Sequence, residues 1–173
     1  MNHDTYDNSY IAGILNSVKT IAMVGASPND VRPSYFVLKY LLAKGFSVVP
    51  INPGHAGKQI LGQTVYGSLA DLPHPVDMVD VFRASASVPG IVDQVLKLDP
   101  LPKVVWMQLG VRNDEAAARA EAAGIKVVMN RCPKIEYGKL SGEIGWTGVN
   151  SGVLSSKKPL MRQGFQSLGV RQK

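Results

Sequence analysis

Five short apolar runs, each closed by a turn or loop, constrain this chain more than any other feature. They are Thr20–Val24, Phe46–Ile51, Met78–Phe82, Lys103–Met107 and Ile125–Met129. Each is too short for a helix and nearly continuous in apolar residues, the pattern of a strand covered on both faces. Gly25 ends the first, and Asn52-Pro53-Gly54 closes the second. Helical stretches lie between them. Tyr35–Lys44 is entered through Pro33-Ser34 and stopped by Gly45. Val88–Leu98 has Pro89 in its first turn and Ser85 or Ser87 as candidate cap. Asp114–Ala123 has Asn113 as cap, acidic residues in its first turn and Gly124 behind it. Proline near the start, acids beside the positive end of the dipole and glycine past the end are helix boundary signals. A leading helix is predicted over residues 7–17, with Tyr10, Ile11, Ile14 and Leu15 on one face. Between the second and third runs, Thr64–Tyr66 is expected to add a short strand and Ser68–Leu72 a turn of helix.

Strand and helix in alternation require right-handed crossovers and a parallel sheet. The expected fold is therefore a Rossmann-like three-layer α/β fold with a mainly parallel five- or six-stranded sheet. A length of 173 residues suits one such domain. From Tyr137 onward the pattern fails, and Gly, Ser, Asn and Lys dominate. The division expected is a domain over 1–140 and a basic, irregular C-terminal arm over 141–173. Residues 1–130 carry 11 basic and 11 acidic side chains, whereas 131–173 carry 8 basic ones against Glu136 and Glu143. The whole excess of +6 thus lies in the last quarter. These charges are spread out with no aromatic platform among them, which favours a solvated tail over a nucleic-acid contact. No apolar run reaches membrane-spanning length, and Met1–Tyr10 is polar and acidic rather than leader-like. The lone Cys132 makes no internal disulfide, in keeping with a reducing cytoplasm.

In an open parallel sheet the ligand sits beyond the carboxyl ends of the strands. The candidate segments are Gly25-Ala26-Ser27-Pro28, Asn52-Pro53-Gly54, Arg83-Ala84-Ser85, Gln108-Leu109-Gly110 and Asn130-Arg131-Cys132-Pro133. The first loop, Gly25 to Ser34, leads into a helix start, where amide groups and the dipole favour an anion. Ser27 and Ser34 can donate hydroxyl hydrogen bonds, and Arg32 adds a bidentate fork. The loop matches neither G-x-G-x-x-G nor G-x-x-x-x-G-K-[ST]. Asn52-Pro53 stands where nicotinamide enzymes place an acid for the ribose, so NAD is a weaker candidate. Lys58, on the loop after the second strand, is a mobile cation suited to a second phosphate.

Six segments in order, Val24-Gly-Ala-Ser27, Arg32-Pro-Ser34, Asn52-Pro53 with Gly57-Lys58, Val81-Phe-Arg83, Trp106-Met-Gln-Leu-Gly110 and Asn130-Arg-Cys-Pro133, resemble the stand-alone CoA-binding domain proteins of the YccU-like type. That group is related to the CoA-binding domain of the succinyl-CoA synthetase α subunit. The resemblance covers residues 8 to about 137. It implies coenzyme A or an acyl-CoA as ligand. Gly25, Ala26 and Ser27, with the helix start at Pro33-Ser34, would hold pyrophosphate oxygens. Arg32 and Lys58 would serve the phosphates, Pro53 and Phe82-Arg83 would border the adenine and ribose, with Asn52 also in the binding set, and Gln108 and Gly110 would lie near the pantetheine arm. Asn130 and Cys132 would close the site. Where relatives carry Ile-Glu-His, this chain has Ile135-Glu136-Tyr137, so no histidine role carries over there.

No complete catalytic constellation is visible. His3, His55 and His74 lack a motif, no Cys/His cluster has metal spacing, and no Ser-His-Asp set follows from order alone. Asp77 reads as a turn residue and Asp80 as a strand residue near the ligand edge. A thiolate at Cys132 would need a helix start or the nearby Arg131 and Lys134, whereas a half-buried inert cysteine is the plainer reading. Three functions fit: a carrier, sensor or subunit that binds CoA; part of an acyl-CoA ligase or transferase working with a separate ATP-binding chain; or a nucleotide-sensing regulator whose basic tail touches nucleic acid. A protein partner or homo-oligomer stays open; no membrane contact is expected.

Overall fold

Strands apolar on both faces need neighbours and cover on every side, and β1 (Thr20–Val24) has them. The computed structural model describes residues 1–143. On one side β1 pairs in parallel with β2 (Ser47–Ile51), from Thr20 opposite Ser47 to Val24 opposite Ile51. A short antiparallel hairpin follows β2, formed by β3 (Gln59–Ile60) and β4 (Gln63–Thr64). On its other side β1 pairs with β5 (Met78–Val81), which continues to β6 (Val104–Met107) and β7 (Lys126–Val128). The five-stranded sheet runs β2-β1-β5-β6-β7, all parallel.

Thr64–Tyr66 does not add a sixth strand. Gln63 and Thr64 turn back on the hairpin instead, and Tyr66 makes a lone parallel bridge to Ile51.

The pleat divides the interior into two cores. Ile21, Met23, Met78 and Trp106 face one layer, containing α1 (Asn8–Ser17), α2 (Pro33–Ala43) and a C-terminal helix. Ala22, Val79, Val81 and Val105 face the other, containing α3 (Val88–Val95) and α4 (Asp114–Ala122). Among the described residues no helix is long and apolar enough to cross a membrane.

The helix boundaries have local causes. Pro33 stands in the first turn of α2, and the Asn113 side chain caps α4 by accepting the Ala116 N–H at 2.9 Å. Neither serine caps α3 through its side chain. Ser85–Ser87 forms a 3-10 turn, and the Ser85 hydroxyl accepts the Arg112 N–H instead.

The loss of pattern after Tyr137 does not end the helical order. Pro133–Ser141 is a helix, α5, closed by Gly142 in a left-handed conformation. Its buried side includes Glu136 and Gly138 beside Tyr137 and Leu140, so no apolar stripe announces it. Tyr137 packs edge-on against Tyr40 and Phe46. The remainder of the expected arm lies outside the described residues.

Asp77 works at the opposite end of the sheet from the candidate loops. It accepts the Lys19 and Thr20 N–H groups and pairs with Lys103 at 3.0 Å. Burial alone would raise its carboxyl; these donors hold it below the ordinary range. It clamps three strand starts.

Candidate functional site

The strand order reverses between β1 and β5. β1 leads outward to β2, while the chain after β5 winds the other way. A crevice at such a switch point is where doubly wound sheets take ligands. Here it lies between the Gly25 turn and Phe82-Arg83. Gly25 has φ +89°, and a Cβ there would stand 2.5 Å from the Phe82 carbonyl oxygen and 2.9 Å from Arg83 Cδ. The two loops meet this closely only because residue 25 has no side chain.

The loop after β1 is largely self-satisfied. Gly25 N–H donates to Ile51 O, Ser27 N–H to the Ser34 hydroxyl at 3.2 Å, and Asn29 N–H to the Ser27 hydroxyl. The Ala26 and Ser34 amides have no acceptor among the described residues. Because Ser34 Oγ accepts from Ser27, its own hydrogen stays available to donate. The first loop therefore brings fewer free amides than its sequence suggests, and positive charge must come from side chains.

That charge is present. The described chain has five arginines, of which Arg112, Arg119 and Arg131 pair with carboxylates. Arg32 and Arg83 have no acidic partner among the described residues, and both line the same cleft. The cleft measures 640 Å³. It also gathers Gly25, Ser27, Pro33, Ser34, Asn52, Phe82, Gln108 and Cys132, all singled out from sequence. Leu109, inside a candidate segment, lines it too, while Val37 and Val111 complete the wall; their apolar character gave no chemical signal. A second cavity of 320 Å³ shares Gly25 and Arg83 with it and is otherwise bounded by residues such as Pro53, Ser68, Leu69, Ile91 and Gln94. Sequence reasoning reached only Pro53 there, because Gly67–Leu69 follows the hairpin rather than a strand of the main sheet.

Other expected residues stand apart. Ala26 is fully buried, and its carbonyl accepts Asn52 Nδ2 at 2.8 Å. Asn52 also accepts the Gly54 N–H at 2.9 Å, so it latches the loops after β1 and β2 together. Asn130 and Gly110, at φ +54° and +79°, form a similar latch at 2.8 Å between the loops after β6 and β7; neither lines either cavity. Lys58 is exposed, outside both cavities.

The cleft floor holds a buried polar group. Asp80 is fully buried, in register with Met23 and Trp106, and both its oxygens accept from Gln108 Nε2 at 2.9 and 3.1 Å. No cation pairs with it among the described residues, and burial pushes its carboxyl up to about 7 despite the Gln108 bond. Cys132 precedes α5. Burial raises its thiol, only partly offset by the Ile135 and Lys134 amides, so the neutral thiol is favoured. Of the histidines, His3 is buried against Tyr6 and Glu121, while His74 is exposed. No group of three or more metal-type ligands occurs among the described residues.

Known proteins share the fold and much of the sequence. The uncharacterized protein YneT of Bacillus subtilis is 35% identical over 127 residues, 73% of this chain and 91% of that one. A solved structure, a hypothetical protein from Pyrococcus horikoshii OT3, is 37% identical and superposes with a TM-score of 0.75, covering 82% of this chain and 97% of that one. An ADP-forming acetate–CoA ligase of Archaeoglobus fulgidus is 26% identical over 147 residues, 80% of this chain but 21% of the ligase. Residues 19–138, the whole five-stranded sheet and its switch-point crevice included, match the CoA binding domain family, and to that family the chain belongs.

Proposed function

We propose that the cleft binds coenzyme A or an acyl-CoA and that the protein acts as a carrier, sensor or subunit without an active site of its own. One observation carries this reading: two arginines without carboxylate partners among the described residues flank a glycine turn where two cavities meet. A ligand with a charged middle and two unlike ends suits that layout. The pyrophosphate lies against Arg32, Arg83 and the amide and hydroxyl of Ser34, aided by the N-terminus of α2. The adenosine end enters the smaller cavity beside Pro53 and Leu69. The pantetheine arm follows the larger cleft towards Gln108 and Cys132.

Calorimetric titration with CoA, dephospho-CoA, acetyl-CoA, NAD and ATP tests it. Tight binding of CoA or acetyl-CoA with weak heats for NAD and ATP is the expected result. Equal weak heats for all five overturn it.

A second reading has support of its own. The chain aligns with about a fifth of an ADP-forming ligase, so it fits a subunit that presents CoA to a separate ATP-binding chain. Acyl-CoA formation from ATP and a carboxylic acid only after such a chain is added would favour this reading.

A further inference from the structure

An uncompensated carboxylate inside a sheet is costly, and Asp80 is one. Its only hydrogen-bond partner among the described residues is the Gln108 amide. An ionised carboxylate can only accept, so it holds Nε2 of that amide inward. The Gln108 backbone is fixed as well, its N–H on Val81 O and its carbonyl on the Val111 N–H. Gln108 Oε1 is left without a donor among the described residues, on a side chain that lines the cleft.

We infer that Asp80 is a positioning residue: it locks the Gln108 amide so that Oε1 faces the cleft as an acceptor for an amide N–H of the ligand. This rests on the CoA reading and adds a chemical preference to it. The cleft beyond the arginines selects an amide-bearing arm rather than a carboxylate or a plain alkyl chain. A carboxylate there would meet a carbonyl oxygen with Asp80 behind it. An alkyl chain would leave Oε1 unpaired.

The experiment measures affinities at pH 8 for CoA and for adenosine 3′,5′-bisphosphate, which lacks the pantetheine arm. Gln108→Met and Asp80→Val should each weaken CoA about tenfold and leave the bisphosphate unchanged. The double variant should bind CoA no more weakly than either single one, because both changes remove one interaction. Asp80→Asn keeps an acceptor for Nε2 and should stay within about threefold of wild type. Circular dichroism and urea unfolding confirm that each variant is folded. Full CoA affinity in Asp80→Val, additive losses in the double variant, or equal losses for both ligands overturn the inference. Wild-type protein that binds neither ligand overturns the CoA reading itself, an outcome distinct from any of these.

Discussion

At Gly25 the φ is +89°, and a Cβ added there would stand only 2.5 Å from the Phe82 carbonyl oxygen. Any side chain there must strain the backbone and separate the loops after β1 and β5. Gly25→Ala should lower stability by about 3 kcal/mol in urea unfolding, with loss of CoA binding in whatever remains folded. Asp80 shows a different conflict, between stability and site. Its carboxyl is raised in the fold from the ordinary 3.8 to about 7. Between those values the folded state holds a proton that the unfolded chain releases. Stability therefore falls as pH rises through that window and levels off above it. Asp80→Asn removes this dependence. It should be more stable than wild type by on the order of a few kcal/mol at pH 8 and nearly equal at pH 4, read by urea unfolding at each pH. A gap that is the same at both pH values would show that Asp80 is not the titrating group.

Among the elements, α2 and the β1 turn before it supply the anion site jointly. Arg32 stands at the N-cap and Pro33 behind it has no N–H, so the Ser34 amide and hydroxyl are the first helical donors. Arg32→Ala and Arg83→Ala should each weaken CoA about tenfold with stability unchanged. The difference from wild type should shrink as salt screens the exposed guanidinium groups. Losses confined to one arginine would place the phosphates on that side of Gly25. The elements were unequally legible. β1, β2, α2 and α4 carry short apolar runs, proline starts and a capping asparagine, and their bounds are local matters. α5 packs a glycine and a glutamate inward, so its reason for being helical lies in α1 and α2 beside it.

For the whole molecule, ligand binding and stability are linked. CoA at a hundredfold excess over its dissociation constant should add about 2.7 kcal/mol, a rise in Tm of roughly 5–10 °C for a chain of this size. NAD at the same concentration should leave Tm little changed. A shift of equal size with both would remove the preference for CoA. Apolar runs, turn residues and the charge excess beyond residue 130 were readable directly, because each depends on neighbours along the chain. They determined the parallel sheet, most helix bounds and the loops where a ligand could sit. Tertiary structure alone decided that Asn52 and Asn130 act as latches, that Lys58 stands away from both cavities, that Arg32 and Arg83 lack acidic partners among the described residues, and that Asp80 backs Gln108. Those outcomes depend on which side chains from distant segments reach each other first. Hydrogen bonds and charge pairing are settled by that proximity, and no local pattern encodes it.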